Sequence, residues 1–438
     1  MSKSRSLALA RLIAVESKGS FSSFATERSG DVRTERLAHE YVSGITRWKR
    51  WLDYQIDSFY SGDAKGLELK LRVILRLGVY DLLFLSTPDH AVVHEAVELA
   101  KKELRAGAGR LVNAIMRSVI RSRESLPVPH HEDKVSYLGI THSHPDWIVR
   151  RWLDRFGEIE TTRLLEWNNR RPEYSLRSNT LRVTATRFRD ILVKSGVKFR
   201  DGLTEHFVYV SELSELIRSE SFRDGFFSIQ DEAAGLVVRT LDPRPGDVVL
   251  DLCAAPGGKS MFAAELMANR GRVVALDRHE GRLRMVNESA TRLGCTIVET
   301  VKDDATKQVS GMQADRVLAD VPCSGLGVLA KRADLRWRMS EDRLKGLVDL
   351  QSKILQAAAS SVRVGGILVY STCTTEPEEN EWQIGSFLSS NSDFERVPAL
   401  PSDLMDFVEL QTGLGDYQSH PQRTGMDGAY AAKLVRRR

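Results

Sequence analysis

Two cysteines and a set of acids stand in this chain where chemistry is usually done. Cys323 lies in Asp320-Val321-Pro322-Cys323-Ser324-Gly325 and Cys373 in Ser371-Thr372-Cys373-Thr374, each just past an apolar run that reads as a β-strand. A buried structural thiol is the ordinary explanation for a cysteine, and it suffices for Cys295 in its polar, helix-ending context. Two strand-end thiols beside an acid serve a different need. On neighbouring strands, ~4.8 Å apart at the backbone, both could face one substrate. Carbon 5 of a pyrimidine becomes nucleophilic only when a thiolate adds to carbon 6 and N3 is protonated, which is the chemistry such a pair suits.

A second constellation precedes the thiols. In Asp251-Leu252-Cys253-Ala254-Ala255-Pro256-Gly257-Gly258-Lys259-Ser260 the β-branched run Val248 to Leu250 ends at an acid, and a Pro-Gly-Gly turn leads into helix-forming Met261 to Leu266. Alone this could be an ordinary strand-to-helix connection. Glycines without Cβ atoms, followed by the unpaired N–H groups of a helix start, also make a cradle for an anionic ligand. Asp277 stands nineteen residues beyond Gly258, the usual place for an acid that meets ribose hydroxyls, and Asp304 is placed to accept from an adenine amino group. Each acid by itself could equally cap a helix; together they describe a nucleoside-containing cofactor.

These residues need a scaffold that gathers strand ends. Beyond Phe226 the pattern alternates β and α, with strands predicted at 247–253, 272–277, 296–303, 315–321 and 365–372 and two more near 393–398 and 428–436. Such alternation means a doubly wound, mostly parallel, seven-stranded sheet, whose ligands gather at the carboxyl ends of its strands. Residues 1–125 read instead as helices almost throughout, an all-α bundle, and 126–144, rich in Pro and His, as a linker. From 145 to 225 the pattern is that of a small α+β domain, and 226–438 is the doubly wound domain. Between Arg163 and Arg200 ten Lys and Arg face three Asp and Glu, and Asn168, Asn169, Arg170, Arg171, Arg177 and Asn179 are candidate phosphate contacts.

Composition bounds the rest. The 438 residues exceed what one core holds, 42% are hydrophobic and 28% charged, and the net charge of +4 is only mildly basic. Four cysteines without close spacing make neither a disulfide framework nor a zinc site, and the histidines at 130, 131, 142 and 144 have no cysteine or carboxylate at ligand spacing beside them, so no metal is expected. No uncharged apolar run approaches the ~18 residues of a membrane span. A soluble, cytoplasmic monomer without membrane partners is the expectation.

The motifs "DLCAAPGGKS", "DVPCSGLGVL" and "YSTCTTEPEEN", with "FSIQDEAAGLVV" and "HPQRTGMDGAYAAKLVR" beside them, closely resemble those of the RNA cytosine-5 methyltransferases that use S-adenosyl-L-methionine. The helices "LRVILRLGVYDLLFL", "HAVVHEAVELAKK" and "RLVNAIMRSVIR" are similar to the NusB-type RNA-binding domain. Over its full length the chain resembles the bacterial Sun/Fmu family, which modifies small-subunit (16S) ribosomal RNA. The resemblance implies a Rossmann-like class I methyltransferase domain, Cys373 as nucleophile, Cys323 assisting product release, Asp320 as the acid that meets the cytosine, and Lys259 beside them. It implies that Cys253, Ala254, Ala255, Pro256, Gly257, Gly258 and Lys259 hold the methionine part of the cofactor, Asp277 its ribose and Asp304 its adenine, with Asp320 on the cofactor side as well. Val321 stands where the family more often has Ala, and Ala333 where His-Pro is frequent. Methylation of a base amino group would need an Asp/Asn-Pro-Pro-aromatic loop in place of Pro322-Cys323. A non-catalytic RNA-binding factor would have had no reason to keep Lys259, Asp320 and Cys373.

Overall fold

Twelve strands in two sheets, with helices before and between them, make up the computed structural model, which describes residues 2–18, 30–307 and 311–438. Residues 19–29, inside the run predicted to be helical, lie outside the described residues. The chain divides into a helical unit, residues up to Arg170 together with Leu329–Arg338, and a second unit, Arg171–Val328 with Met339–Arg438.

The helical unit contains helices at Lys3–Lys18, Val32–Phe59, Leu69–Phe84, Asp89–Glu103, Ala106–Arg121, Lys134–Thr141 and Asp146–Asn169. Its core joins Leu12, Tyr41, Ile45, Ile74, Leu75, Val92, Ile115 and Met116. The helix Leu69–Phe84 is buried on nearly every side, and its two buried charges, Arg76 and Asp81, are paired there. Arg76 makes a bidentate contact to Asp53, with both bonds at 2.7 Å, and Asp81 accepts from Tyr41 Oη at 2.7 Å and pairs with Arg5. The region 126–144 departs from a plain linker: Asp133 caps the helix Lys134–Thr141 by accepting from the Ser136 amide. His144, fully buried, bonds the His142 carbonyl at 2.6 Å. The helix Asp146–Asn169, grouped by sequence with the small α+β domain, clusters with the helical unit.

The second unit begins with a four-stranded antiparallel sheet made of β1 (Tyr174–Ser178), β2 (Arg200–Asp201), β3 (Phe207–Val210) and β4 (Phe227–Ile229), in the order β2-β3-β1-β4. The helix Ala185–Lys194 covers it through Phe188 and Leu192, which pack with Leu176, Val208 and Phe227.

The large sheet contains β5 (Val248–Asp251), β6 (Arg272–Asp277), β7 (Val298–Lys302), β8 (Ala314–Asp320), β9 (Val362–Thr372), β10 (Phe394–Val397), β11 (Tyr417–Ser419) and β12 (Ala429–Arg436). The order is β10-β12-β9-β8-β5-β6-β7, with β11 on β12. β5 to β9 pair in parallel, and β12 runs antiparallel to β9 and β10. All seven expected strands are present. The eighth, three-residue β11, is too short to leave a periodic signal. Strand order reverses between β5 and β8, so the crevice for a ligand opens at the ends of those two strands. Apolar residues fill both faces, Val249, Phe262, Val273 and Leu318 on one, Leu250, Val274, Val317, Leu368 and Tyr370 on the other.

Candidate active site

The residues singled out by spacing converge on that crevice. β5 ends at Asp251, which is buried and accepts from Ser260 Oγ at 2.6 Å. Burial pushes its carboxyl up to about 7, opposed by the Ser260 bond. Its other oxygen is buried without a hydrogen-bond partner among the described residues. The loop from Cys253 to Lys259 turns sharply: Gly257 N–H bonds the Ala254 carbonyl at 2.7 Å, and Ala254 N–H bonds Leu276 on β6 at 2.9 Å. Gly257 has φ +105°, a conformation costly for any other residue, and a Cβ there would meet Val286 at 3.3 Å. It caps the helix Gly258–Leu266 without a side chain, so the first-turn N–H groups are open to an anionic ligand. Burial pushes the Cys253 thiol up, out of the range of a reactive thiolate.

Lys259, the second residue of that helix, crosses the crevice. Its Nζ donates to Asp320 Oδ2 at 2.7 Å, and Ser371 Oγ donates to Asp320 Oδ1 at 2.8 Å. Burial alone would lower the lysine, but the Asp320 carboxylate outweighs it and, with a smaller contribution from Cys373, holds the ammonium charged. Asp277, 4% exposed at the end of β6, accepts from the His279 amide at 2.8 Å and pairs with Arg282 at 3.2 Å. Asp304 lies two residues beyond β7, accepting from Thr306 N at 3.0 Å and Thr306 Oγ1 at 2.8 Å; the amide bond lowers its carboxyl below the ordinary range.

β8 and β9 are neighbours, with Asp320 opposite Ser371, so the two thiols emerge side by side. Cys323 Sγ and Cys373 Sγ are 2.9 Å apart, and the Cys373 amide also reaches Cys323 Sγ at 3.2 Å. Cys373 is exposed and Cys323 half-buried. The hydrogen bond with Cys373, reinforced by burial, pushes the Cys323 thiol well up, so it keeps its proton. Cys295 is buried among apolar side chains and its thiol is pushed up to about 12 by burial, as suits a structural residue.

Three of the candidate phosphate contacts are internal. Arg177 is fully buried, pairing with Glu265 at 2.5 Å, bonding Gln230 and the Gly258 carbonyl and lying 4.4 Å over the Phe262 ring. Asn179 donates to the Gly225 and Leu293 carbonyls, both at 2.8 Å, and Asn168 is buried beside His144. Polar type misled here because the partners are buried: an acid for Arg177, two carbonyls for Asn179 and the His144 ring for Asn168. Arg170 and Arg171 are exposed, and Asn169 is half-buried. Sequence reasoning missed Glu379, Gln351, Ser324 and Thr374, a buried group behind the thiols. Glu379 sits in the quoted "YSTCTTEPEEN", where a run of acids reads as solvated surface.

A family model described as 16S rRNA methyltransferase RsmB/F matches residues 238–435, the NusB family model residues 2–121, and the ferredoxin-like domain of Methyltr_RsmF/B-like proteins residues 144–209. The probable ribosomal RNA small subunit methyltransferase B of Bacillus subtilis (strain 168) is 34% identical over 441 residues, covering 98% of each chain. Ribosomal RNA small subunit methyltransferase B of Escherichia coli (strain K12) is 31% identical over 413 residues, 92% of this chain and 91% of its own. Among solved structures, that of PH0851 superposes with a TM-score of 0.83 at 27% identity, covering 100% of this chain and 99% of its own. A methyltransferase homologue from Pyrococcus horikoshii superposes with a TM-score of 0.60 at 26% identity, over 70% of this chain and 99% of that one. With relatives 31% and 34% identical over 91% or more of both chains, this chain belongs to the ribosomal RNA small subunit methyltransferase B family.

Proposed function

We propose that the protein methylates carbon 5 of a cytosine in 16S ribosomal RNA through a covalent adduct between Cys373 and carbon 6 of the base. The observation that carries this reading is the pair of thiols 2.9 Å apart beside the Lys259–Asp320 ion pair. S-adenosyl-L-methionine supplies the electrophilic methyl group. Its fit rests on the glycine turn and helix start for the methionine carboxylate, the unsatisfied oxygen of Asp251 for the amino group, Asp277 for the ribose diol and Asp304 for the adenine. Cys253 to Lys259 form the wall of that cradle.

Cys373, the exposed thiol, bonds carbon 6 as a thiolate, and the electron pair of the 5,6 double bond moves through the ring as N3 is protonated. Asp320 hydrogen-bonds at N3 and the amino group, and its contact to the charged Lys259 supplies a proton reserve. After methylation the carbon-5 proton passes to water, its electron pair re-forms the 5,6 double bond as the Cys373–carbon bond breaks, and N3 returns its proton to Asp320. Cys323, which keeps its proton, is suited to give it to the departing Cys373 sulfur.

The test separates the thiols. With substrate RNA and S-adenosylmethionine, Cys373→Ser stops methylation and forms no adduct. Cys323→Ser accumulates a protein–RNA complex that survives denaturing gel electrophoresis. A trapped complex from the Cys373 variant and none from the Cys323 variant would make Cys323 the attacking group. Methylation of the amino group, seen by mass spectrometry of the nucleosides, would overturn the whole reading.

A further inference from the structure

Behind the two thiols, the adjacent residues Glu379 and Asn380 hold both cysteine loops. Glu379 is fully buried. Its Oε1 accepts from the Ser324 amide and from Gln351 Nε2, both at 2.8 Å, and its Oε2 accepts from Ser324 Oγ at 2.5 Å. Gln351 Nε2 also reaches the Pro322 carbonyl at 2.9 Å. The residues on both sides of Cys323 are therefore tied to one carboxyl group. Asn380, equally buried, accepts from Thr372 Oγ1 at 2.6 Å and donates to the Thr374 carbonyl at 3.1 Å, tying both sides of Cys373. Tyr370 Oη donates to the Glu379 carbonyl at 2.7 Å and anchors the pair to β9.

Counting hydrogens fixes the direction of the last link. Ser324 has one hydroxyl hydrogen, and with Glu379 as the carboxylate it goes there. The 2.8 Å contact between Ser324 Oγ and Thr374 Oγ1 is then donated by Thr374. A single chain runs from the residue after Cys373 to the residue after Cys323 and ends on Glu379.

We propose that Glu379 and Asn380 are positioning residues whose clamp sets the separation of the Cys323 and Cys373 thiols. They touch neither sulfur. Fixing that separation matters most when the adduct breaks, since Cys323 must then reach the departing sulfur. In Glu379→Gln the shape is kept, but a donor faces Ser324 Oγ and the hydroxyl chain must reverse or break. This inference rests on the two-thiol reading, but its main readout does not require methylation.

The experiment measures how fast dibromobimane, which fluoresces when it bridges two thiols, links Cys323 to Cys373 in the full chain, with Cys323→Ser as background. Glu379→Gln should slow bridging by about tenfold or more, the equivalent of losing one hydrogen bond to a charged group. It should also accumulate the gel-stable protein–RNA complex, as loss of Cys323 would, while S-adenosylmethionine affinity stays unchanged. Thr374→Val, which removes only the middle link, should act in the same direction and decides the matter if Glu379→Gln fails to fold. Unchanged bridging in a folded variant, with only a lowered melting temperature, would reduce the clamp to ordinary packing. If Cys373→Ser still methylated RNA, the reaction reading would fall while the bridging rate still decided the clamp.

Discussion

At the scale of single residues, the acids of the crevice have separable duties. Asp277 is nearly buried at the end of β6 and already accepts two contacts, so it is rigid before a ribose arrives. Asp277→Ala should weaken S-adenosylmethionine binding about ten- to a hundredfold, the value of roughly 1.5 to 3 kcal/mol for hydrogen bonds to a charged group. RNA binding should change little, and parallel titrations of the two ligands check this; equal losses would indicate a folding defect. The positions of Asp251, Asp277, Asp320, Cys323 and Cys373 were legible because each follows an apolar run that ends abruptly, and Asp304 because it ends an alternating one. The Glu379 network was not, because a buried acid differs from a solvated one only in partners that lie 28 and 55 residues away in sequence.

At the scale of elements, β1 of the small sheet and the helix Gly258–Leu266 after the glycine loop share one buried ion pair. Arg177 and Glu265 are both fully inaccessible. Removing one partner strands a charge, so Arg177→Met should destabilise the protein by about 3–5 kcal/mol, whereas the double variant Arg177→Met/Glu265→Met should recover much of that loss. Thermal and denaturant unfolding of the three proteins provide the comparison, and a double variant as unstable as the single one would show that lost packing, not a stranded charge, is the cost. Strand existence and order of appearance could be read from alternation. Arg177 could not be placed, because a basic residue in a basic segment looks like surface until its tertiary partner is known. Nor did alternation reveal that Arg177 Nη1 bonds the Gly258 carbonyl at 3.2 Å, which fastens β1 to the glycine loop itself.

At the scale of the whole molecule, Leu329–Arg338 is the feature that sequence order concealed. These ten residues follow the Cys323 loop, yet they belong to the helical unit. Arg336 is fully buried there, donating to the Asn168 carbonyl at 3.0 Å, the Ser143 carbonyl at 3.1 Å and Asn169 Oδ1 at 2.8 Å, and Trp337 Nε1 donates to the Thr46 carbonyl at 2.6 Å. The helical front carries none of the strand-end residues, so a fragment starting near Pro145 should keep its cofactor cradle. In that fragment Leu329–Arg338 keeps the helix Asp146–Asn169 but loses the carbonyls of Ser143 and Thr46 and the front helices around them. Trypsin should therefore cut at Lys331, Arg332, Arg336 or Arg338 in the fragment and leave these bonds intact in the full chain, as mass spectrometry of the digests would reveal; equal cleavage in both would show that the segment is not held. The same feature sets a schedule for synthesis. The front helices leave the ribosome first, but their unit lacks its last piece until roughly 170 residues later. At the ~5–20 residues per second of translation, that is a wait on the order of ten to thirty seconds. During that wait the nascent front half has carbonyls at Thr46, Ser143 and Asn168 still without their donors, so the first domain made is among the last to be finished.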